Sequence, residues 1–259
     1  MAYKNIQFSK DNRCSKIVLN RPNAMNALDE QTVQEIWDAL DYIENDDDIR
    51  VIIFTGAGKK AFAAGAETKQ LQHRKSIDVF TQRNLTKLCS RIEAFNKATI
   101  AAINGFALGG GLELALSCDI RIATENSKMG LPELNLGVIP GAGGTQRLSR
   151  IAGKGLALDM VLTGTYISAD EAKQVGLVSQ IVKSDELLDL AYEKAKKIID
   201  KGPLAVQLAK LSIHTGHDVD MDTGVLIESL IQSFLYGTED KHEGTSAFME
   251  KRKASFIGK

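Results

Sequence analysis

No apolar stretch in this sequence has the length that a bilayer demands. Residues 98–112 carry no charge, but they number 15 and are rich in glycine, short of the roughly 18 to 20 expected of a membrane-crossing helix. Residues 1–10 lack an apolar core, so no secretory signal is expected. Net charge is almost absent, −1 from 32 basic and 33 acidic residues. A global field that would draw in nucleic acid or an anionic membrane is therefore missing. Cysteine is scarce: Cys14, Cys89 and Cys118 are odd in number and form no C-x-x-C pair. This argues against a disulfide framework and for a reducing, cytoplasmic compartment. His214 and His217 are three apart on one helical face, yet no cysteine or acidic cluster completes a ligand set, so we read them as surface residues and expect no metal. Aromatic residues are few and tryptophan occurs once, which leaves little to stack a sugar and weakens a glycosidase reading of any carboxylate pair. Neither a G-x-S-x-G elbow, nor a G-x-x-x-x-G-K-[ST] phosphate loop, nor a G-x-G-x-x-G dinucleotide turn occurs.

What is present is ordinary in bulk and ordered in pattern. With 259 residues, 44% hydrophobic and 25% charged, the chain can build one large or two modest globular domains. Residues 17–19 read as a short strand ending at the Asn20-Arg21-Pro22 turn. Val33, Ile36, Trp37, Leu40 and Ile43 recur at helical spacing over residues 29–43. Residues 51–54 are a β-branched run, the mark of a buried strand. Residues 69–95 read as one helix, with Leu85, Leu88, Ile92 and Phe95 inward. Strands follow at 100–103, 120–123 and 178–182, and Ser168 with Glu171 makes a capping-box signature. From residue 185 onward the strand signal ends. Four helical segments, broken by Gly202-Pro203, Gly216 and Gly237, run to the last residue. The expected organisation is an α/β core over residues 1–184 and an all-helical region over 185–259.

Three small-residue loops each follow a strand: residues 63–66, 109–111 and 137–144. In α/β folds ligands gather at the carboxyl ends of strands, so three such loops are candidates to converge. The second opens a helix over residues 112–118. The first amides of a helix lack internal partners and sit at its positive end, suited to an oxygen that develops negative charge. Glu113 stands in that helix's first turn, where the dipole favours its ionised form. Glu133, 20 residues on, could bracket the same point, and two carboxylates can divide acid and base roles when their surroundings separate their pKa values.

Several motifs carry a resemblance. Asn20-Arg21-Pro22 with Asn26-Ala27-Leu28, then Phe62-Ala63-Ala64-Gly65-Ala66-Glu67, then Asn104-Gly105-Phe106-Ala107-Leu108-Gly109-Gly110-Gly111-Leu112-Glu113, Pro132-Glu133, and residues 139–148 resemble the crotonase (enoyl-CoA hydratase/isomerase) family in order and spacing. The resemblance implies a spiral of ββα units with a C-terminal helical trimerisation region, and a homotrimer or homohexamer. It implies acyl-CoA thioester substrates, a lyase of fatty-acid or branched-chain amino-acid catabolism, and no separate cofactor. It places the amides of Ala66 and Gly110 on the thioester oxygen, Glu113 and Glu133 on a shared water, and Gly141 beside that water. Met25, Ala64, Glu67, Thr68 and Lys69 complete the implied substrate contacts, with the cluster of residues 251–253 reaching CoA phosphates from a neighbouring subunit. Glu67 departs from the usual aspartate, and residues 97–99 lack the usual proline. Residues 213–228 and 128–131 resemble the methylglutaconyl-CoA hydratase branch, so a branched substrate is an option, as is double-bond isomerisation. That branch includes RNA binders. Lys69, Arg74, Lys75, Arg83, Lys87 and Arg91 would form the basic helix face for such a role, although the net charge gives it no support.

Overall fold

The structure, a computed structural model, describes residues 3–259 except Thr68, Lys69, Leu71, Arg74, Thr81, Gln82 and the side chain of Val79. The chain begins with a hairpin, β1 (Ile6–Asp11) and β2 (Cys14–Leu19), turned by Asn12 and Arg13 at φ 46° and 66°. β1 buries only Ile6, so its sequence lacks the alternation that marks a strand, and the reading above missed it. Helix α1 (Glu30–Glu44) is capped by Asp29, whose side chain accepts from the Thr32 amide. It buries Val33, Ile36, Ala39, Leu40 and Ile43. Next come β3 (Val51–Gly56), β4 (Ala61–Ala63), α2 (Leu85–Glu93), β5 (Ala98–Ile103), β6 (Phe106–Leu108) and α3 (Gly110–Ser117). After these follow β7 (Ile120–Thr124), β8 (Lys128–Gly130), α4 (Gly144–Ala152), α5 (Lys154–Thr163), β9 (Ile167–Ser168), α6 (Ala169–Gln174) and β10 (Gln180–Val182). The last four helices are α7 (Leu187–Ile199), α8 (Pro203–His217), α9 (Met221–Tyr236) and α10 (Glu239–Met249).

Two sheets organise the core. One has the order β1-β2-β3-β5-β7-β10 and the other β4-β6-β8-β9. The chain places a long strand in the first sheet, a short strand in the second, and then a helix. This ββα step is taken by β3-β4-α2, β5-β6-α3 and β7-β8-α4, and its long strands are parallel to one another. The apolar runs of β3 and β5 follow from burial on both faces. Ile52 and Phe54 join the cluster shared with α1 and α2, while Val51, Ile53, Ile100 and Ala102 join Leu187, Ala191 and Ala195 of α7 on the opposite face. Helix α7 thus covers the outer face of the large sheet. Helices α8 and α9 bury none of their own residues. They meet where Gly216 and Gly224 let two backbones approach, a Cβ on Gly224 falling 3.6 Å from the Gly216 Cα.

Residues 69–95 are not one helix. A short 3-10 turn spans Ser76–Phe80, with Ile77 and Phe80 exposed, and helix α2 starts afresh after Asn84, whose side chain accepts from the Lys87 amide. A polar N-cap in mid-sequence ends one helix and begins the next. Two arginines of the expected basic face are paired with acidic residues of α1. Arg83 pairs with Asp38 and Asp41, and Arg91 with Asp41 and Glu44, both guanidinium groups lying over the Trp37 ring. Lys69 and Arg74 lie outside the described residues.

Candidate active site

The first and second loops meet backbone to backbone. Residues 64–67 are zipped onto residues 25–28: Ala64 N donates to Met25 O at 3.0 Å, Leu28 N to Gly65 O at 2.8 Å, and Glu67 N to Leu28 O at 3.3 Å. This ladder leaves the Ala66 amide pointing away from its partner strand. Gly65 adopts φ 95°, and a Cβ there would stand 3.2 Å from Leu108 O. Gly109, at φ 50° and ψ −129°, turns the chain from β6 into α3, a conformation that side chains rarely tolerate. A Cβ on Gly110 would lie 3.6 Å from Ala66 N, so the Gly110 position and the Ala66 amide face each other closely. Neither amide has an acceptor among the described residues. Gly111 is required for packing: a Cβ would fall 2.1 Å from Ala63 O, where α3 lies on β4.

Glu113, buried one turn into α3, is held by the third loop. Its Oε1 accepts from Ala142 N at 2.7 Å and Gly144 N at 2.8 Å. Gly144 makes room for this, since a Cβ would sit 2.9 Å from that oxygen. Glu133 enters from the 3-10 turn Glu133–Leu136, and a Cβ on Gly109 would lie 3.0 Å from its Oε1. Its Oε2 is buried without a hydrogen-bond partner among the described residues. So a carboxylate anchored by two amides, an unpartnered carboxylate oxygen and two free amides surround the same three glycine loops.

The enoyl-CoA hydratase/isomerase family matches residues 9–259. The chain belongs to the enoyl-CoA hydratase/isomerase family. It is 44% identical to a crotonyl-CoA hydratase of Syntrophomonas wolfei over the full length of both chains. Identity is 43% to a short-chain-enoyl-CoA hydratase of Clostridium acetobutylicum, over 98% of this chain and 97% of that one. A crystal structure of an enoyl-CoA hydratase from Bacillus anthracis superposes with a TM-score of 0.94 at 41% identity, covering 99% of this chain and 100% of that one. The fold is the crotonase fold.

Within this crotonase site the two glutamates differ electrostatically. Burial raises the Glu113 pKa, opposed by the Gly144 and Ala142 amides and by Arg147. Desolvation thus outweighs the donors and the helix-start dipole expected to favour its ionised form. Glu133 is pushed up to about 7, first by burial and then by the charge of Glu113. It has no amide pair to offset its burial. Two carboxylates in such unequal surroundings can take different acid and base roles.

Met25 sits at φ 50°, next to Asn26 at φ 57°. The Asn26 side chain holds this turn, donating to Ala57 O and Ala61 O and accepting from Arg21 N. Arg21 donates to Ala27 O at 2.7 Å and pairs with Glu67 at 3.0 Å and Asp29 at 3.3 Å. Glu67 therefore braces the first loop through Arg21. Ala64 and Gly141 lie in the first and third loops, while Thr68 and Lys69 lie outside the described residues. Lys253 pairs with Asp200, and Arg252 with Glu243 and Glu250. The sequence reading did not single out Arg147, which donates to Ala142 O and clamps Glu93 in a bidentate pair. Its only signal was a charged residue just after a glycine loop. His214 stays at the surface, its side chain 41% exposed, with Nε2 3.3 Å from Asp119, which also receives Lys210 at 3.0 Å.

Proposed function

We propose that this protein adds water across the 2,3 double bond of an enoyl-CoA thioester. The observation that carries the reading is the anchored Glu113 and the unpartnered Glu133 Oε2 beside the free amides of Ala66 and Gly110. The two amides receive the thioester oxygen. Glu113 takes a proton from a water, whose oxygen bonds to C3. The C2–C3 π electrons shift toward the thioester, building negative charge on its oxygen, and Glu133 delivers a proton to C2. A proton passing from Glu113 to Glu133 through the next water restores the starting state. Each oxyanion donor contributes on the order of 3 kcal/mol to the barrier reduction, and each positioned acid or base about 10²- to 10⁴-fold in rate.

No separate cofactor enters these steps, since CoA is part of the substrate. The names of the short-chain relatives favour a small straight acyl group; a branched group is the second reading. The presence of both glutamates speaks against a double-bond isomerase working with one. The ion pairs of Arg83 and Arg91 weaken an RNA-binding role. Residues 1–184 would then form the acyl-CoA-binding core and 185–259 the oligomerisation region of a trimer or hexamer. That assembly is supported by the exposed apolar face of α9, where Leu230 is 63% and Phe234 61% exposed in the single chain. No helix of the described residues is long and apolar enough to cross a membrane. Three free, buried cysteines suit a cytoplasmic setting. The test is a hydration assay with crotonyl-CoA, longer straight enoyl-CoAs and 3-methylglutaconyl-CoA. No turnover of any of them would refute the reading, and a preference for the last would choose the branched substrate.

A further inference from the structure

The loop that holds Glu113 is itself held from behind. Thr86, in the first turn of α2, donates from Oγ1 to Gly141 O at 2.8 Å. That carbonyl belongs to the same peptide unit as the Ala142 N–H, which donates to Glu113 Oε1 at 2.7 Å. The second peptide on Glu113 is built alike. The Gly144 N–H donates to Oε1 at 2.8 Å, while the Gly143 carbonyl on the same unit accepts from Gln146 N and Arg147 N. At the far end of α2, Glu93 grips Arg147, which donates to Ala142 O at 2.8 Å. A peptide that accepts a hydrogen bond at its carbonyl is polarised into a better donor at its N–H.

The two peptides differ in how they are secured. Gly143–Gly144 is fixed by the first turn of its own helix, α4. Gly141–Ala142 lies in an open loop, where a Cβ on Gly141 would meet nothing closer than Ile139 O at 3.8 Å. Ala142 itself is buried in the core, but the exposed Gly141 side of the unit has no such packing, and the Thr86 hydroxyl is the side-chain donor to that carbonyl among the described residues. We propose that Thr86 is a positioning residue for hydration: it aims and polarises the 141–142 peptide so that the ionised Glu113 is held in place to take a proton from water.

The inference rests on reading Glu113 as the base. The titratable groups that face Glu113 are Arg147 from α4, Glu133 from the 3-10 turn and the buried Cys89 thiol from α2. Replacing Thr86 alters none of them. Losing its donor weakens the hold on the ionised carboxylate, so Glu113 would deprotonate at higher pH, and the acid limb of kcat/KM would move upward.

Thr86→Val keeps the shape and removes the donor; Thr86→Ser restores it. The expected result for Thr86→Val is a kcat lower by about two- to tenfold, the size of one net hydrogen bond. KM should stay near the parent value, because the amides of Ala66 and Gly110 are untouched, and the acid limb should shift up by roughly half a pH unit, with Thr86→Ser recovering both. A Thr86→Val profile superimposable on the parent would overturn the inference. So would a pH-independent loss that Thr86→Ser does not recover. Glu113→Gln is assayed alongside: if it abolishes hydration while Thr86→Val changes nothing, only this inference fails. If Glu113→Gln retains near-parent hydration, the hydratase mechanism fails and this inference with it.

Discussion

Glu133→Gln should separate what the protein gains in chemistry from what it loses in stability. The Glu133 carboxyl is largely buried beside Glu113, with Oε2 unpartnered, and its pKa stands near 7 against an ordinary 4.5. A carboxyl whose folded pKa is raised binds its proton more tightly in the folded chain than in the unfolded one. Below about pH 4.5 both states are protonated and the group costs nothing. As pH rises through 4.5 the unfolded chain ionises first, and folding stability falls until the folded group also ionises, near 7. At about 1.36 kcal/mol per unit, this difference reaches an upper limit of about 3 kcal/mol above pH 8, reduced by the group's partial exposure. A glutamine carries no such penalty. Glu133→Gln should therefore unfold at a higher denaturant concentration than the parent at pH 8, at equal protomer concentration, and the gap should close at pH 4.5. The same variant should lose at least about 10²-fold in kcat, the low end for a positioned acid, with KM little changed. Equal stability at pH 8 would show that Glu133 is not destabilised by its setting. Near-parent hydration would remove it from the reaction.

Glu113→Gln should also lower kcat by at least about 10²-fold while leaving the fold intact, because the amide oxygen can still accept from Ala142 N and Gly144 N; circular dichroism and steady-state hydration kinetics check both. The double variant should be far from multiplicative, since both residues serve one step. The pH profile of kcat/KM for the parent should fall above about 7 as Glu133 loses the proton it must donate, and this basic limb should disappear in Glu133→Gln. Arg21→Ala should loosen the 64–67 loop by removing its contacts to Ala27 O and Glu67, lowering kcat more than it changes chemical-denaturation stability. A charge placed on α9, Leu230→Glu, should reduce the particle size seen in light scattering; a parent that is already a monomer at micromolar concentration would refute the assembly.

The amino-acid order by itself determined the elements whose signals are local. The β-branched run of β3, the period of α1 with Asp29 ahead of it, and the Ser168–Glu171 capping box all formed where their chemistry placed them. So did the glycines at 109–111, because φ 50° at Gly109 and a Cβ-free contact at Gly111 are demands of backbone sterics. Where the signal was not local, the sequence was silent or misread. Edge strand β1 has no alternating face of its own and exists through pairing with β2. The helix read over 69–95 breaks because Asn84 caps a new one, and Arg83 and Arg91 turn toward acidic residues of α1 that lie more than 40 positions away. The site shows the same division. Its carboxylates and glycine loops could be named from the chain, but their unequal proton affinities could not. Those depend on which carboxylate receives two amides from residues 29 and 31 positions away and which is buried without them. Desolvation and hydrogen-bond geometry are properties of a packed interior, and only the folded chain assigns them to one glutamate rather than the other.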